Sequence, residues 1–142
     1  MRCHSIARRA TLAALAASSC LVSAEAAPPR ETFTPAFREV IPNIPGKSLI
    51  GIVVSYPPGG ATPAHHHARS AFVTGFVLSG AIRSQVNDGK VQVFHAGESW
   101  TEAPGAHHQM SENASATEPA SLLAIFVVDT DDTAELTTLE RR

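Results

Sequence analysis

From about residue 48 onward the apolar residues fall in short runs cut by Gly and Pro, with no sustained helical period. Leu49-Ile50-Gly51-Ile52-Val53-Val54-Ser55-Tyr56 is β-branched and apolar and ends in Pro57-Pro58-Gly59-Gly60, which predicts a strand and then a turn. Phe72 to Leu78 predicts a second strand. Ala81 to Val86 alternates, with Ile82 and Val86 on one face and Arg83 and Gln85 on the other. Asn87-Asp88-Gly89-Lys90 then predicts a hairpin, returning through Val91 to Phe94. Gly97 and Pro104-Gly105 punctuate two further extended segments, and Ser121 to Val128 is the last and most apolar strand. About seven strands at roughly 8–12-residue spacing predict an all-β sandwich or barrel.

The core expected from this pattern draws Ile52 and Val54 from the first strand and Phe72, Phe76 and Leu78 from the second. Ile82, Val86, Val93 and Trp100 follow, and Leu123, Ile125 and Val127 close the set. In the continuous apolar runs the inward parity is a choice, because both faces carry hydrophobic side chains.

Four segments are expected. Residues 1–26 have the parts of an export signal: Arg2, Arg8 and Arg9, an apolar stretch from Ala10 to Val22, and small residues Ala24 and Ala26 before a cleavage point, with Val22-Ser23-Ala24 as a second choice. The Arg8-Arg9 pair leaves a twin-arginine route open. Residues 27–47, with five prolines, predict an extended N-terminal arm. Residues 48–129 form the barrel, and 130–142 an acidic tail, frayed or briefly helical through Leu136 and Leu139.

Composition narrows the function. The 11 basic and 13 acidic residues give no broad basic surface, which excludes a nucleic-acid binder. No apolar run reaches the roughly 18 residues of a membrane span. Cleavage after Ala26 removes three Arg and one Glu, leaving eight basic and twelve acidic residues and a net charge of −4. It also removes Cys3 and Cys20, so a periplasmic or secreted mature protein has no thiol for catalysis, metal binding or disulfides.

The remaining chemistry is in histidines. His65 and His67, two apart on a strand, share one face about 7 Å apart along it, while His66 faces the other way. A second group, His107-His108, follows the Pro104-Gly105 turn, and one of the pair can reach the same ion from a neighbouring strand. Glu98, Trp100 and Glu102 share strand parity just before that turn. Glu102 is the candidate for a group beside the metal or contacting substrate, with Trp100 next to it.

Gly59, five residues, His65-His66-His67 and later Gly80 resemble the first motif of the cupin superfamily. Gly97, Pro104-Gly105 and His108 resemble the second, with Asn113 one residue beyond the usual asparagine. The resemblance spans about residues 48–129. It implies an antiparallel double-stranded β-helix, the cupin or jelly-roll barrel. It also implies that His65, His67 and His108 hold one divalent transition metal while His107 faces outward. Gly59, Gly80, Gly97 and Gly105 match turn positions. Two departures stand out. The usual proline is Ala103, with Pro104 one step later. The usual glutamate would fall on Val73 counting back from Gly80, or on Ala71 or Phe72 counting on from His67, and none of these binds metal.

Three neutral imidazoles leave the ion its full charge and open positions for water or substrate. Such a site suits zinc, iron, manganese, nickel or copper better than magnesium or calcium. The resemblance is compatible with a dioxygenase-like enzyme acting on a small organic substrate. It is equally compatible with a non-enzymatic metal- or small-ligand-binding protein, because this barrel hosts both. It further implies pairing of two copies through edge strands, with the arm free to cross to the partner.

Overall fold

The computed structural model of the chain describes residues 30–139. The expected signal segment, with Cys3 and Cys20, lies outside the described residues.

Eleven strands are described: β1 Thr32–Val40, β2 Lys47–Tyr56, β3 Ala61–Thr62, β4 His65–His67, β5 Phe72–Ser79, β6 Ala81–Val86, β7 Gln92–His95, β8 Ser99–Glu102, β9 His107–Asn113, β10 Ala120–Asp129 and β11 Thr137–Leu139. One sheet runs β1-β2-β10-β5-β8 and the other β11-β4-β9-β6-β7, with β3 also paired to β9. All pairings between these strands are antiparallel. This is the expected antiparallel jelly-roll barrel, and among the described residues there is no helix.

The turns fall where the glycines predict. Gly59, Gly80, Gly97 and Gly105 all have positive φ. At Gly80 a side chain would be doubly excluded, since a Cβ would also lie 2.8 Å from the Ala120 Cβ and the Pro119 carbonyl. The first described part of the arm is an edge strand with one irregularity. β1 pairs along β2 and shifts register between Pro35 and Phe37, consistent with proline's missing N–H and its tolerance at edges.

The tail departs from expectation. Thr137–Leu139 is a strand on the edge of β4, and Leu136 packs against the core. Two leucines three apart fit a short helix or an irregular strand entry equally well. The open backbone groups of β4, which a second strand can satisfy, decide between them.

The inward parity of two strands also differs from expectation. In β5 the side chains of Phe72, Phe76 and Leu78 are 44%, 38% and 45% exposed, while Val73 and Val77 are buried. In β10 the buried residues are Leu122, Phe126 and Val128, and Leu123, Ile125 and Val127 are only half-buried. Val93 is exposed as well. Each run is apolar on both faces, so hydrophobicity could not indicate which set turns inward. Where the run alternates, in β6, Ile82 is buried as expected.

The core is split in two. Ile50, Ala68, Ala71, Val73, Phe126 and Val128 pack at one end of the barrel. Val54, Tyr56, Val77, Ile82, Ala120 and Leu122 pack at the other. The cross-strand partners Ile52 and Ala124 touch both clusters. Ile82 has no exposed surface, so Ile82→Ala is expected to cost about 2–5 kcal/mol through lost burial and the cavity left behind. Urea unfolding of the metal-free protein measures this, and a loss well below 1 kcal/mol would contradict the packing.

Candidate metal centre

β4 and β9 set the three histidines. In the β4–β9 ladder His65 lies opposite His108, and His66 opposite His107. Directly opposed residues point to the same side of a sheet, so the first pair turns inward and the second outward. His65, His67 and His108 are buried. Their metal-ligating atoms all lie within 4.8 Å of one another. Ligands on a common ion lie about 3–3.5 Å apart when each bond is about 2.0–2.1 Å, so closing on an ion needs only small side-chain adjustments. His66 and His107 stack on the outer face with ring centroids 4.5 Å apart.

Two of the inner rings are oriented from behind. His65 Nδ1 meets the Pro63 carbonyl at 2.8 Å, which leaves Nε2 for a ligand. His108 Nε2 shares a 2.9 Å hydrogen bond with the Ser84 hydroxyl, which leaves Nδ1. Such partners fix tautomer and ring angle in metal sites. Burial is the main influence on both rings and disfavours the charged form. It holds His65 below its ordinary value and His108 down at about 4, despite the opposing pull of Glu102 on each. Neutral imidazole is the form that binds a metal.

Glu102 and Trp100 enter from the opposite sheet on β8. Glu102 is buried, with Oε2 2.9 Å from His67 Nε2 and Oε1 3.3 Å from His108 Nδ1. The Trp100 indole N–H donates to Oε1 at 2.9 Å. Burial raises the carboxyl's pKa, but His67, His108 and Trp100 outweigh it and hold the group below its usual value. The Trp100 ring fits because its partner on β5 is Gly75, where any Cβ would overlap the indole. Glu98 is remote from this cluster. It lies outside β8, and its carboxylate accepts from the His95 backbone N–H in an exposed turn.

A cavity of about 440 Å³ opens over these groups, within the range of small-molecule sites. Its walls include Ile52, Val54, Leu122, Ala124 and Phe126, and Phe33 and Leu139 border it where they are exposed to solvent. Tyr56 reaches the cavity with its hydroxyl 2.8 Å from both Thr62 and Ser111.

Ser84, Tyr56, Thr62 and Ser111 are site residues that the sequence reading missed. Ser84 had a usable signal, since it shares parity with Ile82 and Val86 on the inward face of β6. Asn113, near the end of the second motif, does not reach the histidines. Its amide donates to the Pro57 and Glu118 carbonyls and accepts from the Ser115 N–H, pinning two loops together.

The cupin domain family matches residues 52–126, more than half of the chain. Among solved structures, a conserved Klebsiella pneumoniae protein with a double-stranded β-helix domain is similar at 18% identity with a TM-score of 0.61, over 88% of this chain and all of that one. The cupin domain of Schizosaccharomyces pombe Cnp3 is similar at 20% identity and a TM-score of 0.57, over 70% of this chain and 62% of that one. A recombinant oxalate oxidase in complex with glycolate is similar at 23% identity and a TM-score of 0.54, over 69% of this chain and 51% of that one. At these identities the likeness is one of fold. Among curated proteins no sequence matches.

Proposed function

This chain belongs to the cupin domain family, and on that premise we propose that it is an exported protein holding one divalent transition metal on His65, His67 and His108. A small organic molecule would bind in the cavity beside the ion and be transformed in a dioxygenase-like reaction. The observation carrying this reading is the convergence of three buried imidazoles from two strands at the floor of a cavity of molecular size.

The ion would supply Lewis acidity and, if redox-active, electron transfer. The chain's own groups do the rest. Pro63 and Ser84 present His65 Nε2 and His108 Nδ1 to the ion. Ile52, Val54, Leu122 and Phe126 exclude water and favour a ligand with an apolar body and a polar head. The Tyr56 hydroxyl can address a second polar group on that ligand. Zinc, iron, manganese, nickel and copper all suit nitrogen donors, and these three imidazoles do not choose among them.

One observation favours the non-enzymatic alternative. The acidic group beside the histidines, Glu102, is held in its ionised form below the usual carboxyl range, which makes it a weak proton acceptor. Metal analysis of protein purified from its export compartment is expected to find about one equivalent of one of the five metals. Oxygen consumption against small acids, diketones and phenols then separates the two readings. Metal without turnover supports capture alone, while a chain that takes up none of the five metals would end both.

Two copies are proposed to pair, as the resemblance implies, through edge strands; Phe72, Phe76 and Leu78 on the interior strand β5 add an exposed apolar strip. Native mass spectrometry of the exported protein tests export and pairing together. The expected species is a dimer of chains lacking residues 1–26 or 1–24; full-length chains in the soluble exported fraction would defeat the signal reading, and monomers at micromolar concentration the pairing.

A further inference from the structure

The cupin pattern calls for a glutamate where this chain has an apolar residue, and the structure shows a carboxylate at the same place from a different strand. We propose that Glu102 is the fourth metal ligand, replacing from β8 the carboxylate missing from β5. This rests on the three-histidine reading above and deepens it.

Position is the first argument. Of the three residues on which the motif glutamate could fall, Phe72 faces solvent and Ala71 lies outside the strand. Val73, buried and bordering the cavity, is the inward position on β5. In the β5–β8 ladder its direct partner is Glu102. Directly paired residues point to the same face with Cβ atoms about 4.5–5.5 Å apart. The carboxylate has therefore moved one strand sideways at the same level of the barrel.

Burial is the second. Glu102 is 2% exposed, and its Oε2 has no hydrogen-bond partner. A buried ionised carboxylate is costly unless it is paired, hydrogen-bonded or bound to a metal. Both ring nitrogens of His67 also lack a hydrogen-bond partner. Oε2 and His67 Nε2 lie 2.9 Å apart but outside hydrogen-bond geometry. Two lone-pair donors on one ion lie at about this separation.

Direction is the third. A carboxylate that only orients a metal-binding imidazole occupies the nitrogen the ion leaves unused. On His108 that nitrogen is taken by Ser84, and Glu102 faces the other one, at 3.3 Å. Glu102 is thus on the metal side of His108. Trp100, seated over Gly75, holds Oε1 and fixes the carboxylate's angle. Ligation by Glu102 lowers the net charge of a divalent site to +1, and with it the acidity of any bound water.

Cobalt(II) titration of chelator-stripped protein tests this, reading affinity by competition with a chromophoric chelator and coordination by the visible d–d spectrum. Glu102→Gln keeps size and the Trp100 contact. It is expected to weaken binding at least about 100-fold, the upper end of what losing an orienting partner does, and to change the spectrum. Moving the carboxylate back, in Val73→Glu/Glu102→Val, is expected to recover at least about tenfold of that loss and the wild-type band pattern, because a first-sphere donor has been restored. An unchanged spectrum in Glu102→Gln overturns the proposal at any affinity, since an orienting residue would leave the ligand set intact. So does a folded double variant that stays at the Glu102→Gln level. Circular dichroism of the metal-free proteins establishes folding, and if the double variant does not fold, the Glu102→Gln spectrum decides alone. A wild-type chain that binds no cobalt would instead refute the three-histidine site itself.

Discussion

His67→Ala is expected to abolish the stabilisation that a divalent transition metal confers on this protein, while His66→Ala, one residue away, leaves it nearly intact. The two side chains differ in direction and not in chemistry. His67 turns into the barrel beside Phe126 and Glu102, and His66 stacks on His107 outside. A ligand that binds only the folded state at 100 times its dissociation constant stabilises by about 2.7 kcal/mol. At about 4 °C per kcal/mol, between the values for domains of roughly 60–100 and of roughly 150–250 residues, wild-type protein should melt about 10 °C higher with zinc than with chelator. The quantity to compare is that increment, because His67→Ala also leaves a cavity that lowers the melting temperature of the metal-free protein. Calorimetry of the three proteins with zinc and with chelator measures it. Equal increments in all three would mean a solvated histidine cluster, and no increment in the wild type would mean no site.

The direction of these histidines was legible because strand geometry makes it so. A His-x-His spacing on any strand puts two imidazoles on one face, and a polar triplet has a burial preference only when something inside needs it. The alternation in Ala81 to Val86 was legible for a related reason, as its two faces differ in polarity. Phe72 to Leu78 and Ser121 to Val128 have no such contrast. Their inward sets, Val73 with Val77 and Leu122 with Phe126, are fixed by the register against β8 and β2, which no local pattern contains. Glu102 is a candidate from sequence through its parity with Trp100. Its place opposite Val73 depends on a pairing between residues far apart in the chain, and only the folded ladder reveals it. Ser84 stands behind His108 for the same reason, through the β6–β9 pairing. The C-terminal strand is not legible because its partner, β4, is a three-residue strand whose open edge is invisible in sequence.

Metal-free protein is expected to lose stability steeply as pH falls from about 6.5 to about 4. His108 carries the largest part. Burial lowers its pKa from 6.5 to about 4 in the folded state, whereas the unfolded chain takes up the proton near 6.5. The unfolded state thus binds more protons through this interval, and stability falls as pH falls. The difference is fully in place above the unfolded value and gone below the folded one, and a shift of this size corresponds to something on the order of 3 kcal/mol. His65, also lowered by burial, acts in the same direction. Glu102 titrates later. Its folded pKa lies below the ordinary carboxyl value, so its contribution is retained above about 4.5 and lost only at more acid pH. Urea unfolding with chelator at pH 7.5, 6, 5 and 4.5 measures the slope. His108→Gln, which has no proton to gain, is expected to flatten it by about 3 kcal/mol over the interval. With metal bound the dependence should steepen, because each proton taken up by a ligand also competes with the ion. Equal stability of the metal-free wild type at pH 7.5 and 4.5 would show that His65 and His108 are hydrated in the folded protein, contrary to their burial.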